Sequence, residues 1–115
     1  STYVPAINDM AIKFLAETGL PTVARSDVTD TLDNYGQGDL DPDAVFELGL
    51  AADHPDAQAL VLSCTDMRSV EIIARLEAAV GKPVITSNQA MMFQARQLIG
   101  IGDAAPGFGR LLEME

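Results

Sequence analysis

Between Pro5 and Glu17 the segment "PAINDMAIKFLAE" sets apolar residues at Ile7, Met10, Ala11, Phe14 and Leu15, the three-and-four spacing of one helix face. Pro5 suits a first helical turn, where a missing N–H costs nothing, and Gly19 suits the stop. "PTVARS", residues 21–26, is short and reads as an edge strand. From Asp27 to Asp41, "DVTDTLDNYGQGDLD" supplies turn formers and acids without any period, so a surface loop is expected. Asp41 followed by Pro42 marks an N-cap with proline at the first helical position. It opens a second helix, "PDAVFELGLAAD", with Val45, Phe46, Leu48 and Leu50 as candidates for burial and an end near His54-Pro55.

The second half changes character. "ALVLSC", residues 59–64, is an apolar run without alternation, the pattern of a strand covered on both faces in a parallel sheet. Thr65 can cap a following helix in which Ile72, Ile73, Leu76, Ala79 and Val80 share one side while Arg68, Glu71 and Arg75 point elsewhere; Gly81-Lys82-Pro83 ends it. "PVITS", residues 83–87, is the next strand, and Asn88 can cap the helix "QAMMFQARQLI", closed by Gly100. Met91, Met92 and Phe93 are expected in the core. The tail to Glu115 reads as a glycine-rich turn and a short last helix. The order β-α-β-α with short joins predicts a doubly wound parallel sheet, helices on both faces and right-handed crossovers. Such a domain usually begins with a central strand, yet only "STYV" precedes the first helix, so the first strand is expected to be missing from the chain.

Length and composition narrow this picture. The 115 residues fit one small α/β domain, residues 1–115, with a single core. Seven basic against seventeen acidic residues give a net charge of −10, which repels a phosphate backbone and excludes nucleic acid as an expected partner. No apolar stretch approaches the roughly 20 residues of a membrane span, and the start lacks the basic and apolar regions of a signal peptide. A cytoplasmic protein without membrane contact is expected. One cysteine and one histidine cannot form a disulfide or a structural zinc site, so no metal is expected.

The chemistry concentrates at the strand ends. In open α/β sheets ligands bind at the carboxyl ends of strands, beside helix N-termini. Cys64 sits at such an end, where the free amides of a helix beginning near Thr65 would favour its thiolate and hold a carboxylate, with Ser63 and Thr65 as flanking hydroxyls. A cysteine at a strand end also commonly just packs. Ser87 and Asn88 repeat the geometry at the next strand end, where capping alone also explains them. Together the two ends form an anion cradle. His54, before a proline in a turn, is assigned no role. The acids Asp27, Asp30, Asp33, Asp39, Asp41 and Asp43 lack the spacing of a calcium loop. "GIGDAAPGFG" lacks the Lys-Ser/Thr and the preceding strand of a phosphate loop, which discounts nucleotide binding.

"SCTDMRSVEIIARLEAAVGKPVITSNQAMMFQARQLIG" resembles the second half of the maleate cis-trans isomerase and arylmalonate decarboxylase branch of the aspartate/glutamate racemase superfamily, in which Ser-Cys-Thr, Gly-Lys-Pro-Val and Ser-Asn-Gln-Ala recur. The likeness extends to the start around Tyr3, to "LDPDAVFELGLAADHPDAQAL" and to the closing Gly-x-Gly-Arg-Leu-Leu; ectoine-utilisation decarboxylase-like proteins look similar in these segments. The resemblance implies a cofactor-free enzyme of two similar α/β lobes that acts on small dicarboxylates through an enediolate-type intermediate. Cys64 corresponds to the second-lobe cysteine, which manages a proton. Tyr3 corresponds to a carboxylate-binding tyrosine, and Asn34 resembles an asparagine that isomerases place in the intervening loop. Thr65, where arylmalonate decarboxylases carry glycine, points toward the isomerase or ectoine-type branch. The first lobe is absent from the chain, so the resemblance implies a partner lobe, from the same or another chain, and an isolated chain that is inactive. Amino-acid or hydantoin racemisation, which needs two opposed thiols, and a non-catalytic carboxylate-binding half-domain are the rival readings. An exposed inter-lobe face predicts association, a homo-oligomer among the possibilities.

Overall fold

A computed structural model describes residues 1–114; Glu115, the last position of the expected terminal segment, lies outside them. Among the described residues there are six helices and two strands: α1 (Pro5–Glu17), α2 (Asn34–Asp39), α3 (Pro42–Ala52), β1 (Leu60–Leu62), α4 (Ile73–Val80), β2 (Val84–Thr86), α5 (Ser87–Ile99) and α6 (Arg110–Glu113). The expected parallel β-α-β unit is present, with Leu60, Val61 and Leu62 opposite Val84, Ile85 and Thr86. The Asp41 carboxylate accepts from the Asp43 amide at 2.8 Å and starts α3, as Asp-Pro predicted. Gly81, in the left-handed region at φ +71°, ends α4 and turns the chain into β2.

The core gathers Val45 and Phe46 from α3, Leu60 and Leu62 from β1, Ile72, Ile73 and Leu76 on and before α4, and Val84 from β2. Leu48 and Leu50 are half-buried rather than buried. Glu77 is buried in this half with its carboxylate saturated by backbone donors: Val84 N–H at 3.0 Å and Arg110 N–H at 3.1 and 3.0 Å to its two oxygens. It therefore ties α4 to both β2 and α6. The Gln89 side chain donates to the Phe108 carbonyl at 2.7 Å, and Arg96 donates to the carbonyls of Leu112 and Asp103, fastening the tail to α5.

Several expectations fail for identifiable reasons. Residues 21–26 form no ladder with β1. Pro21 has no donor, and the segment is held at its far end instead, by Val28 N–H to the Ser1 carbonyl at 2.9 Å and by Arg25 between Asp9 and Asp27. The loop expected over 27–41 contains α2, whose N-cap is Asp33, its carboxylate accepting from the Gly36 amide at 2.7 Å. Thr65 caps nothing: α4 starts only at Ile73, because residues 65–72 turn tightly, Ser69 N–H to Met67 carbonyl and Ile72 N–H to Ser69 carbonyl, burying Met67 and Ser69 between exposed Arg68 and Val70. Asn88 is not the cap of α5. Thr86 is, and with Gln89 it forms a complete capping box, Gln89 N–H to Thr86 Oγ1 at 3.1 Å and Thr86 N–H to Gln89 Oε1 at 3.2 Å.

Burial also departs from the pattern. β1 was expected to be covered on both faces, yet Val61 is 58% exposed between buried Leu60 and Leu62. On α1 the regular apolar spacing does not lead to the core: Met10 is 71% and Phe14 64% exposed, with Ile7 exposed as well. Met91 and Met92 are exposed and Phe93 half-buried, because α5 turns Gln89 and Arg96 inward to bind the tail. No helix among the described residues is long and apolar enough to cross a membrane.

Candidate functional site

The parallel register sets the two strand ends side by side, Leu62 opposite Thr86, so Ser63 and Cys64 leave β1 where Ser87 and Asn88 begin α5. Asn88 joins the two ends, its Nδ2 donating to the Thr65 carbonyl at 2.9 Å. Ser63 and Ser87 are half-buried, while Thr65 and Asn88 are exposed. Strand pairing and one side-chain bond thus bring the two strand ends side by side. The helix N-terminus expected beside Cys64 is not there, since α4 begins nine residues later.

Cys64 is 1% exposed and meets two polar groups that arrive from outside the sheet. Its Sγ donates to Gln37 Oε1 at 3.0 Å in a buried contact. From the amino-terminal segment comes Tyr3, whose hydroxyl is held above its ordinary pKa of 10.0 first by burial, then by the neighbouring Cys64 and by Asp66. Tyr3 is therefore a neutral donor throughout the physiological range. Asn8 fixes the approach of this segment, its Nδ2 donating to the Tyr3 carbonyl at 2.9 Å.

Gln37 is the residue that the sequence pattern did not single out. Asn34 is at the exposed start of α2, and no hydrogen bond among the described residues ties it to the cluster; Gln37, one turn further on, is buried against the thiol. The signal was present in Asp33, an N-cap residue followed by four positions that bring Gln37 onto the inner side of one turn. α2 lies over the loop after β1 at Gly38, where a Cβ would stand 3.6 Å from the Asp66 carbonyl oxygen, an ordinary contact distance.

Two concavities flank the cluster. One is lined by Tyr3, Asn8, Ala24, Leu60 and Ser63 between α1, residues 20–26 and the open side of β1. The other is apolar and lined by Val70, Ile73, Asn88, Met92 and Phe108. Cys64 itself lines neither. His54 serves its turn, its Nδ1 accepting from the Asp56 amide at 3.2 Å. Asp33 and Asp41 are helix caps, and Asp27 and Asp43 pair with Arg25 and Arg75. No three His, Cys, Asp or Glu side chains converge on a cation site among the described residues.

The model of one protein family, described as arylmalonate decarboxylase, matches residues 1–112. The chain is 31% identical over 117 residues to the arylmalonate decarboxylase of Bordetella bronchiseptica, covering 98% of this chain and 48% of that protein. It is 26% identical over 111 residues to the maleate isomerase of Pseudomonas putida, covering 96% of this chain and 44% of that one. A crystal structure of arylmalonate decarboxylase superimposes with a TM-score of 0.85 at 27% identity, over 97% of this chain and 50% of that chain. The fold also matches that of a Nocardia farcinica maleate cis-trans isomerase variant with a covalently bound succinylcysteine intermediate, with a TM-score of 0.89 at 24% identity, over 97% and 46% of the two chains. The chain spans about half the length of the curated relatives it matches.

Proposed function

The chain belongs to the arylmalonate decarboxylase family, and from that premise we propose that it is the thiol-bearing half of a cysteine-dependent decarboxylase or cis-trans isomerase for small dicarboxylates. The observation that carries this reading is the position of Cys64, at the carboxyl end of β1 and in contact with Tyr3 and Gln37. A thiol is a suitable acid for a carbon centre at neutral pH, and placing it beside neutral hydrogen-bond donors stabilises charge that develops on a carboxylate.

In decarboxylation the bond between the central carbon and one carboxylate breaks, carbon dioxide leaves, and the electron pair remains as an enediolate. Cys64 then gives its proton to that carbon: the S–H bond breaks, the C–H bond forms, and the thiolate takes a proton back from water. In isomerisation a nucleophile from the partner lobe adds to the double bond, whose π pair passes into the neighbouring carboxylate as an enediolate; Cys64 gives that carbon its proton and takes it back after rotation about the new single bond, and the double bond re-forms as the nucleophile leaves. Tyr3, Ser63, Ser87 and Asn88 are the donors for the substrate carboxylates, with Thr65 and Asn34 at the rim. Neither route calls on a cofactor, and a second lobe, from the same or another chain, would close the site over the substrate.

The test is turnover of an arylmalonate, read as carbon dioxide release, and of maleate, read as fumarate formation, by the intact natural protein before and after exhaustive dialysis against a chelator. Activity on one of the two, retained after dialysis and lowered ~100-fold or more by Cys64→Ser, is the expected result. Full turnover by Cys64→Ser would overturn the role of the thiol. Carboxylate binding without turnover of either substrate would leave a binding half-domain instead.

A further inference from the structure

The Cys64 thiol has a neutral acceptor on one side, and that acceptor is itself held in place. Gln37 projects from α2, a two-turn element started by the Asp33 cap and lying over the loop after β1, with Gly38 above the Asp66 carbonyl. Its Nε2 donates to the Leu32 carbonyl at 3.4 Å, which commits Oε1 to the sulfur at 3.0 Å. The donor and acceptor ends of the amide are thereby assigned by separate partners. A free thiol can turn about its Cα–Cβ and C–S bonds and store its proton in several directions, whereas a buried S–H with a fixed acceptor stores it in one.

We infer that Gln37 is a positioning residue that aims the Cys64 proton, holding the S–H bond toward α2 until substrate replaces the amide. This rests on the reading of Cys64 as the proton-carrying thiol. A neutral amide suits the task because a thiol is a weak donor: the contact is strong enough to orient the proton and weak enough to yield to an enediolate, whose negative charge attracts it more strongly. A carboxylate at this position would retain the proton against the same competitor. The other groups facing the sulfur do not duplicate the function. Tyr3 presents a donor hydroxyl, and Asp66, on the loop after β1, acts on Tyr3.

Cys64 is the one cysteine of these 115 residues, and in the intact protein its S–H stretching band is the one that disappears from the infrared spectrum of Cys64→Ser. In this protein it is expected at the low wavenumber of a hydrogen-bonded thiol, and it should move to higher wavenumber in Gln37→Leu and Gln37→Asn, which remove or withdraw the acceptor. Gln37→Glu, with an oxygen at the same reach, should keep the band low while slowing turnover of whichever substrate the intact protein accepts. A band unmoved by Gln37→Leu or Gln37→Asn, or absent from the parent chain at neutral pH, would overturn the inference. Should the leucine variant not fold, the asparagine and glutamate pair makes the same distinction. The band is read without substrate, so it can fail while Cys64→Ser still abolishes turnover, and it can hold if turnover never depended on the thiol.

Discussion

The two halves of the molecule treat similar sequence patterns in opposite ways. In the half built on β1, α4 and β2, nearly every large aliphatic side chain of the β-α-β unit meets another from the same chain, and Leu76 is completely enclosed against Gly49 of α3. In the amino-terminal half α1 carries an equally regular apolar stripe, yet Ile7, Met10 and Phe14 face outward and the helix has no side-chain cap. Periodicity states which residues share a face. Whether that face is covered depends on what the rest of the chain brings to it, and here residues 18–28 pass beside α1 without covering it.

Substitutions can break this contrast. Leu76→Ala should cost about 2–5 kcal/mol of unfolding free energy in urea, because the side chain is wholly buried and closed over by Gly49 of α3. A loss below 1 kcal/mol would mean that the enclosed half is looser than its burial implies. Next in size, Glu77→Ala should cost about 1–3 kcal/mol by stranding the buried amide of Val84 and releasing the part-buried one of Arg110. Its hydrogen-exchange signature should be loss of protection at those two amides before the rest of β2. Phe14→Ser on the exposed stripe should change stability by no more than about 0.5 kcal/mol, measured in the same denaturant series. The smallest effect vanishes near neutrality and emerges only in alkali. Tyr3 has a folded-state pKa above its unfolded 10.0, so its contribution is fully present below that value and is lost as pH rises through the folded one. The parent should therefore lose more stability above pH 10 than Tyr3→Phe does, and parallel curves would show that the Tyr3 hydroxyl is not buried beside the thiol.

What could be read from the sequence follows the same division. Asp41-Pro42 opens α3 as expected because the signal is local: one carboxylate, one amide and a ring that fixes φ. Cys64 at a strand end was legible from the apolar run before it, and Tyr3 and Asn88 beside it from the family resemblance and the next strand end. α2 was not, since Gly36 and Gly38 depress helix propensity and the helix exists through the Asp33 cap and its seat over the site. Gln37 was missed with it. The Thr65 cap failed because burial of Met67 and Ser69 outweighs a capping residue that many turns also accept. At α5 the Thr86-x-x-Gln89 pattern was the stronger signal, since it satisfies two amides rather than one.

The sheet has only two strands among the described residues, so β1 pairs with β2 on one side and leaves a row of backbone groups unpaired on the other, beneath exposed Val61. Such an edge is where a further strand can add: β1 is short and carries no charge or proline, and α1 with residues 20–26 stands across a concavity from it. What separates copies of the chain is colloidal: a net charge of −10 on a small body makes encounters repulsive at neutral pH. That protection is lost as the solution approaches the isoelectric point near 4.2, where strand-to-strand stacking along β1 becomes the expected route of precipitation.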